Sequence, residues 1–229
     1  MKLHLFYLRT HQARGQAPPQ AREKLLRAGW HRLHPERPFP AAGLARTAQG
    51  RPWLPGEAFC FSLSHADNLS VLACALAGRL GVDLAHASEA ALARQLDASF
   101  FSPAEQQALA RQQFTPLQLW TRKEALLKAA GTGLLLAPAQ AVVNEATCYF
   151  RGHHYLLHSV PLLGEYELAL AAAASQGPLE ALDWTEVPGA TRHYPARTQA
   201  LGTSESPVAA TARTATDGAA GAQSGRWQT

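Results

Sequence analysis

Eight short apolar runs and three helix-like segments follow one another along the chain, and their order constrains the fold more than any other feature. The runs cover residues 2–8, 58–63, 69–77, 80–84, 140–144, 147–151, 154–160 and 166–173. A tight turn at Gly78 and Arg79 is expected to join the third run to the fourth. A helix followed by about three antiparallel strands thus occurs twice, once on each side of residue 90. The sequence predicts an α+β fold with a pseudo-twofold repeat of two similar α/β halves and a site in the cleft between them.

Two of the helix-like segments carry their own start signals. Ser-Pro-Ala-Glu at 102–105 and Thr-Pro-Leu-Gln at 115–118 each combine an N-cap residue, a proline at the first helical position and an acid or amide that closes a capping box. These signals predict helices over 103–113 and 116–130, the second ended by Gly131 and Gly133. Apolar residues at helical spacing predict an earlier helix over 20–33.

The composition supports a folded core and excludes several classes of protein. The chain has 229 residues, of which 47% are hydrophobic and 17% charged, so disorder of the whole chain is excluded. Three cysteines in no ligand-like spacing indicate neither a disulfide framework nor a structural zinc site. No apolar run approaches the roughly 20 residues that span a bilayer, and no signal peptide is recognised. We expect a reduced, cytoplasmic protein that does not bind membranes.

The domain boundaries follow from the repeat and from a change in composition. We predict an N-terminal half over 1–90, a C-terminal half over 91–188 and a disordered tail over 189–229, which is rich in Ala, Thr, Gly and Ser. The formal net charge is +4, and half of it lies in that tail. The remaining excess is small and scattered, so a nucleic-acid surface is not indicated.

Three segments depart from what a core alone would require. The first combines Arg51 with Ser64 and His65 at the end of a strand, a set that can donate hydrogen bonds to an anion. Its alternative is an ordinary turn with a surface histidine. The second is Asp83, an acid within an apolar strand, which should face a cleft, a partner or a metal, or else mark the end of the strand.

The third segment is the helix at 116–130, on which Trp120, Glu124 and Lys128 follow one another at intervals of four. An exposed ion pair is the alternative interpretation. The chain has only four lysines beside seventeen arginines, and two of the four, Lys123 and Lys128, lie in this helix. Lysine in this place suggests a compact charge for binding phosphate.

Together these segments resemble the 4′-phosphopantetheinyl transferases of the surfactin-synthetase-activating type. The matching motifs are Gly-Arg-Pro-x-Leu-Pro at 50–55, Phe-x-Leu-Ser-His at 61–65, Gly-Val-Asp at 81–83, Phe-Phe-Ser-Pro-Ala-Glu at 100–105 and Trp-Thr-x-Lys-Glu-Ala-x-x-Lys-x-x-Gly-x-Gly-Leu at 120–134. The resemblance covers about residues 40–173. It implies that phosphopantetheine passes from coenzyme A to a serine of an apo acyl or peptidyl carrier protein and releases 3′,5′-ADP, which is the activity of a holo-acyl-carrier-protein synthase. A monomer is expected.

The resemblance also implies roles for individual residues. Asp83 and Glu124 would hold Mg²⁺, and Glu124 would help to deprotonate the incoming serine. Ser64 and His65 would contact the phosphates of the nucleotide, and Lys128 would reach the pyrophosphate. Arg51 stands where the family has a basic residue beside the 3′-phosphate; Arg22, Arg27 and Arg46 are further candidates for that contact.

One position departs from the family pattern. Ala85 occupies a place that usually carries a third acid, on the same strand face as Asp83. Because Mg²⁺ accepts water in a coordination site, we expect weakened metal affinity rather than lost activity. The alternative is a binding module of the same ancestry, which holds coenzyme A or a carrier protein without turnover.

Overall fold

The computed structural model describes residues 2–10, 19–96, 99–132, 138–174, 181–188 and 197–199. Over these ranges the helices are α1 (Pro19–Leu33), α2 (Ala90–Ala93), α3 (Pro103–Ala110) and α4 (Pro116–Ala130). The strands are β1 (Lys2–Arg9), β2 (Ala45–Arg46), β3 (Pro52–Trp53), β4 (Cys60–Ala66), β5 (Leu69–Ala75), β6 (Leu80–His86), β7 (Thr147–Phe150), β8 (His153–Leu162), β9 (Tyr166–Ala173), β10 (Ala181–Glu186) and β11 (Arg197–Gln199). None of the helices in this part of the chain has the length and apolar character needed to cross a membrane.

Two sheets and two helices form four layers. The first sheet has the strand order β11-β10-β1-β5-β4, and the second has the order β6-β9-β8-β7. Side chains such as Leu5, Val71, Val82 and Leu170 join the inner faces of both sheets in one buried cluster. On the outer faces, α1 covers the first sheet and α4 covers the second. The predicted mixed α+β architecture is confirmed.

Strand pairing crosses the boundary predicted at residue 90. β6 lies before that boundary but pairs with β9, and β10 lies after it but pairs in parallel with β1. The pseudo-twofold repeat and the division into halves therefore stay predictions. Of the predicted tail, the described residues are Arg197–Gln199, which pair with β10. Gly133, predicted as a helix stop, lies outside the described residues, whereas Gly131 caps α4 in a left-handed conformation with φ 73°.

Two expectations about strands are wrong. The hairpin at Gly78 and Arg79 does not form, because β5 and β6 belong to different sheets. β6 crosses to the second sheet, where one of its faces packs in the inner core and the other against α4.

The strand predicted over 140–144 is also absent. Pro138–Gln140 form a 3₁₀ turn, and the alternating residues Ala141 and Val143 are buried against α4. Their backbone groups bond to side chains: the Val143 N–H donates to Glu105, and the carbonyl oxygens of Ala141 and Val143 accept from Lys123 and Arg122. Apolar alternation here reflects burial rather than pairing.

Gly81 sets the distance between β6 and α4. A Cβ atom at this position would lie 1.9 Å from the carbonyl oxygen of Ala125 and 2.6 Å from the amide nitrogen of Ala129. Only a residue without a side chain permits this approach, which brings Asp83, two residues along β6, beside the C-terminal half of α4.

Replacing Gly81 with Ala is expected to destabilise the fold by about 1–3 kcal/mol, because a methyl group there meets rigid helix backbone. Urea denaturation measures the change. Gly29→Ala is the matched control: its Cβ would lie 2.6 Å from Cδ2 of Leu72, a side-chain end that can move. Equal losses in the two variants would contradict this account of Gly81.

Candidate functional site

The candidate site lies where β4, β6 and α4 meet, and Asp83 is at its centre. Oδ1 of Asp83 accepts a hydrogen bond from the Ser64 hydroxyl at 2.8 Å and forms an ion pair with Nζ of Lys128 at 2.6 Å. Nζ of Lys128 also donates to Oγ of Ser64 at 3.1 Å and to the carbonyl oxygen of Val82 at 3.2 Å. Three predicted site residues thus contact one another directly.

Ser62 and Ser64 of β4 also hold the sheets together. β4 and β6 belong to different sheets, so no backbone ladder joins them. Instead, the N–H of Val82 donates to Oγ of Ser62 at 3.0 Å, and the N–H of Leu84 donates to Oγ of Ser64 at 3.2 Å. The role of Ser62 was not expected from the sequence, since it depends on which sheet β6 joins.

Glu124 lies half-buried on α4 beside this group. Burial raises the pKa of its carboxyl above the usual range, and the negative charge of Asp83 raises it further. Lys128 and a hydrogen bond from Trp120 oppose this shift of the pKa. Glu124 therefore takes up a proton more readily than an ordinary glutamate, a property that suits a general base.

Among the described residues, the Asp83 side chain bonds to Ser64 and Lys128, and neither His65 nor Arg51 joins these contacts. The exposed His65 lines an open cavity of about 210 Å³ together with Ser64, Arg22 and Arg46. Arg51 instead ties β6 to the end of α4, because its guanidinium donates to the carbonyl oxygens of Leu80 at 3.2 Å and Ala129 at 3.3 Å. Its predicted contact with a 3′-phosphate stays a prediction, as do the roles of Arg22 and Arg46.

Lys123 does not take part in the site, so the phosphate-binding interpretation of two lysines in α4 is wrong for this residue. Its side chain is fully buried, and Nζ forms an ion pair with Glu105 of α3 at 2.7 Å. The same nitrogen donates to the carbonyl oxygens of Pro138 and Ala141. Five residues separate Lys123 from Lys128, which places them on different faces of the helix.

Asp83 and Glu124 fit a magnesium ion by the chemistry of their donors. Mg²⁺ prefers carboxylate oxygens and usually takes one or two of them together with waters and substrate oxygens. The mutual repulsion that raises the pKa of Glu124 is what a bound cation would relieve. Within the part of the chain that the structure describes, no three His, Cys, Asp or Glu side chains are close enough to hold a metal ion. Water would have to complete the coordination.

Sequence reasoning missed Glu167 on β9. It pairs directly across the sheet with Ala85. Oε1 of Glu167 accepts a hydrogen bond from Gln118 at 3.3 Å, whereas the buried Oε2 has no hydrogen-bond partner among the described residues. Burial raises the pKa of this carboxyl, and the hydrogen bond from Gln118 lowers it in part. The available signal was a lone acid within the apolar run 166–173, the same signal that identified Asp83.

Comparison with known proteins agrees with the resemblance at the level of the superfamily. Residues 79–171 match the family model of the 4′-phosphopantetheinyl transferase superfamily. A curated protein from Synechocystis sp., named "Putative 4′-phosphopantetheinyl transferase", is 32% identical over 117 residues, or 46% of this chain and 48% of that protein. This alignment thus spans about half of each protein. The family match includes Asp83, Glu124 and Lys128 but begins after Arg51, Ser64 and His65. The surfactin-synthetase-activating type stays a prediction.

Proposed function

We propose that this protein is a magnesium-dependent 4′-phosphopantetheinyl transferase that modifies a serine of an apo acyl or peptidyl carrier protein. The observation that carries the proposal is the contact of Asp83, Ser64 and Lys128 beside Glu124. Of these residues, Asp83, Glu124 and Lys128 lie within the segment that matches the superfamily. Carboxylates, a hydroxyl and an ammonium group next to an open cavity suit transfer of a phosphoryl group, which depends mainly on positioning and charge neutralisation.

The chemistry assigns each residue a task. The serine oxygen of the carrier attacks the β-phosphorus of coenzyme A, the bond from that phosphorus to 3′,5′-ADP breaks, and the serine proton passes to Glu124. Lys128 exchanges its contact with Asp83 for the negative pyrophosphate oxygens, while Ser64 and His65 bind phosphate at the mouth of the cavity. Asp83 and Glu124 would hold magnesium, which would supply positive charge to neutralise the pyrophosphate.

Intact-mass spectrometry of apo carrier proteins tests the proposal. With coenzyme A and Mg²⁺ present, at least one carrier in a panel of fatty-acid, polyketide and nonribosomal-peptide types should gain the mass of one phosphopantetheine group. Lys128→Ala should slow the transfer about 100-fold, because a charge at the reacting phosphate is lost. Lys24→Ala, which removes an exposed lysine of α1, is the control and should leave the rate unchanged.

Two outcomes would overturn the proposal. Binding of coenzyme A without a mass change in any carrier would favour the non-catalytic binding module. If Lys128→Ala transfers phosphopantetheine at the native rate, the group of Asp83, Ser64 and Lys128 is not where the reaction takes place.

A further inference from the structure

In the second sheet, Glu167 of β9 lies next to Ala85 of β6, the position at which the family pattern usually has an acid. In the register of β6 and β9, Ala85 pairs with Glu167 and Asp83 pairs with Ala169. Residues paired across a sheet point to the same face, as do alternate residues of one strand. Gly81 faces α4, since its Cβ would meet the backbone of that helix. Asp83, Ala85 and Glu167 therefore share the sheet face that α4 covers.

The small side chain at Ala85 allows Glu167 to reach the space that a longer residue would fill. Cβ atoms of directly paired residues lie about 4.5–5.5 Å apart, so a glutamate side chain can contact its cross-strand neighbour. Ala85 is buried, and its neighbours in the cluster are Ala93, Leu117 and the partly buried Trp120. Trp120 in turn bonds to Glu124. The carboxylate that Ala85 lacks is thus available from one strand away.

The fold itself leaves Glu167 incompletely satisfied. In the part of the chain that the structure describes, the side chain of Glu167 accepts one hydrogen bond, from Gln118 to Oε1 at 3.3 Å, and the buried Oε2 accepts none. A buried carboxylate oxygen without a donor is unfavourable, so native proteins keep such a group where a cation, a water or a ligand satisfies it. Asp83 lies on the same sheet face as Glu167, and its negative charge also acts on Glu124 of α4.

We propose that Glu167 takes the place of the acid missing at position 85, by accepting a hydrogen bond from water bound to the magnesium ion that Asp83 and Glu124 hold. This rests on the proposed function. A contact through water agrees with the side-chain positions, since among the described residues no three such side chains converge closely enough to bind one metal directly. Glu167 is accordingly a positioning residue. Residues that orient metal-bound groups commonly change metal affinity 10- to 100-fold when they are replaced.

Metal affinity of the full chain, measured with coenzyme A present and with Mn²⁺ as the paramagnetic probe, tests this role. Glu167→Gln should weaken Mn²⁺ binding about 10- to 100-fold in titrations followed by electron paramagnetic resonance. The amide keeps an acceptor for Gln118 and removes a buried charge, so the variant should melt at or above the native temperature. Glu165→Gln, two residues away with a side chain 73% exposed, is the matched control and should bind like the native chain.

Moving the carboxylate back separates this role from a general structural effect. In the double variant Glu167→Gln, Ala85→Glu, the acid returns to β6, and Mn²⁺ affinity should recover to within a few-fold of the native value. A role in packing alone predicts no recovery.

The proposal is overturned if Glu167→Gln binds Mn²⁺ as tightly as the native chain, if the double variant stays weak, or if the native chain binds no Mn²⁺. These outcomes are distinct from failure of the proposed function. If the native chain modifies no carrier protein but Glu167→Gln still weakens Mn²⁺ binding, the metal site is supported and the transferase function is overturned.

Discussion

Replacing Glu124 with Gln is expected to slow phosphopantetheine transfer at least about 100-fold and, at neutral pH, to raise the melting temperature. The amide can neither accept the serine proton nor offer a charged oxygen to the metal. The gain in stability has a separate cause. Burial and Asp83 raise the pKa of Glu124 in the folded protein, so keeping this carboxylate ionised in the fold is unfavourable.

The pH dependence of stability gives the sign of this effect. With a raised folded pKa, the native chain binds the proton more tightly than the unfolded chain, so Glu124 lowers stability as pH rises from the usual carboxyl range through the folded value. The variant should therefore melt at a higher temperature than the native chain at neutral pH, and this difference should shrink on acidification below the usual carboxyl range. Differential scanning calorimetry across pH measures it.

Glu36→Gln is the control for this experiment, because Glu36 is exposed on the segment after α1. It should change neither the transfer rate nor the melting temperature. Two results would contradict the role given to Glu124, an acid of the site whose charged form the fold disfavours. They are transfer at the native rate by Glu124→Gln, and a lower melting temperature of this variant at neutral pH.

Replacing Lys123 with Ala is expected to cost about 3–5 kcal/mol of stability, because it leaves a charge unpaired in the core. The carboxylate of Glu105 is fully buried and pairs with Nζ of Lys123 at 2.7 Å. It also accepts hydrogen bonds from the N–H groups of Ser102 and Val143, both at 2.8 Å. These contacts connect α3, α4 and the segment after the 3₁₀ turn. A loss of this size is a large fraction of the stability of a typical domain.

Urea denaturation with a second variant isolates the unpaired charge from the lost packing. In Lys123→Met with Glu105→Gln, both charges are removed and side-chain volume is kept. The N–H groups of Ser102 and Val143 bond to different oxygens of Glu105, so the single amide oxygen keeps one of these two bonds. This pair of changes should recover part of the loss. Lys128→Met serves as the control on the same helix: its side chain is 32% exposed, so its effect on stability should be much smaller. Similar losses of stability in Lys123→Ala and Lys128→Met would contradict the larger cost expected for breaking the buried ion pair of Lys123 and Glu105.

Local signals predicted the elements that depend on few distant contacts. α4 begins and ends as expected, because Thr115, Pro116 and Gln118 satisfy its first turn and Gly131 closes its last. β9 matches its predicted range of 166–173 as well, although it is paired on both sides, with β6 and β8. The end of α3 differs, at Ala110 instead of residue 113, since Gln112 adopts a left-handed conformation with φ 57°.

Asp83, Ser64, Glu124 and Lys128 could also be selected from the sequence as candidate site residues, because polar residues in apolar surroundings and family-like spacing are local features. Their direct contacts could not be predicted, since those depend on β6 leaving the sheet of β5 and on the close approach at Gly81. The sequence also did not show that Lys123 lies in the core and Lys128 in the candidate site, although both belong to α4.

The sequence by itself therefore determined the capped helices, the mixed α+β class and the chemical types present in the candidate site. Only the tertiary structure decided which sheet β6 joins, which partner each buried charge meets and that Glu167 lies opposite Ala85. The physical reason is the range of the interactions. Caps and turns are satisfied within a few residues of chain, whereas a buried carboxylate or a strand edge is satisfied by groups far away in sequence, and their positions follow from packing.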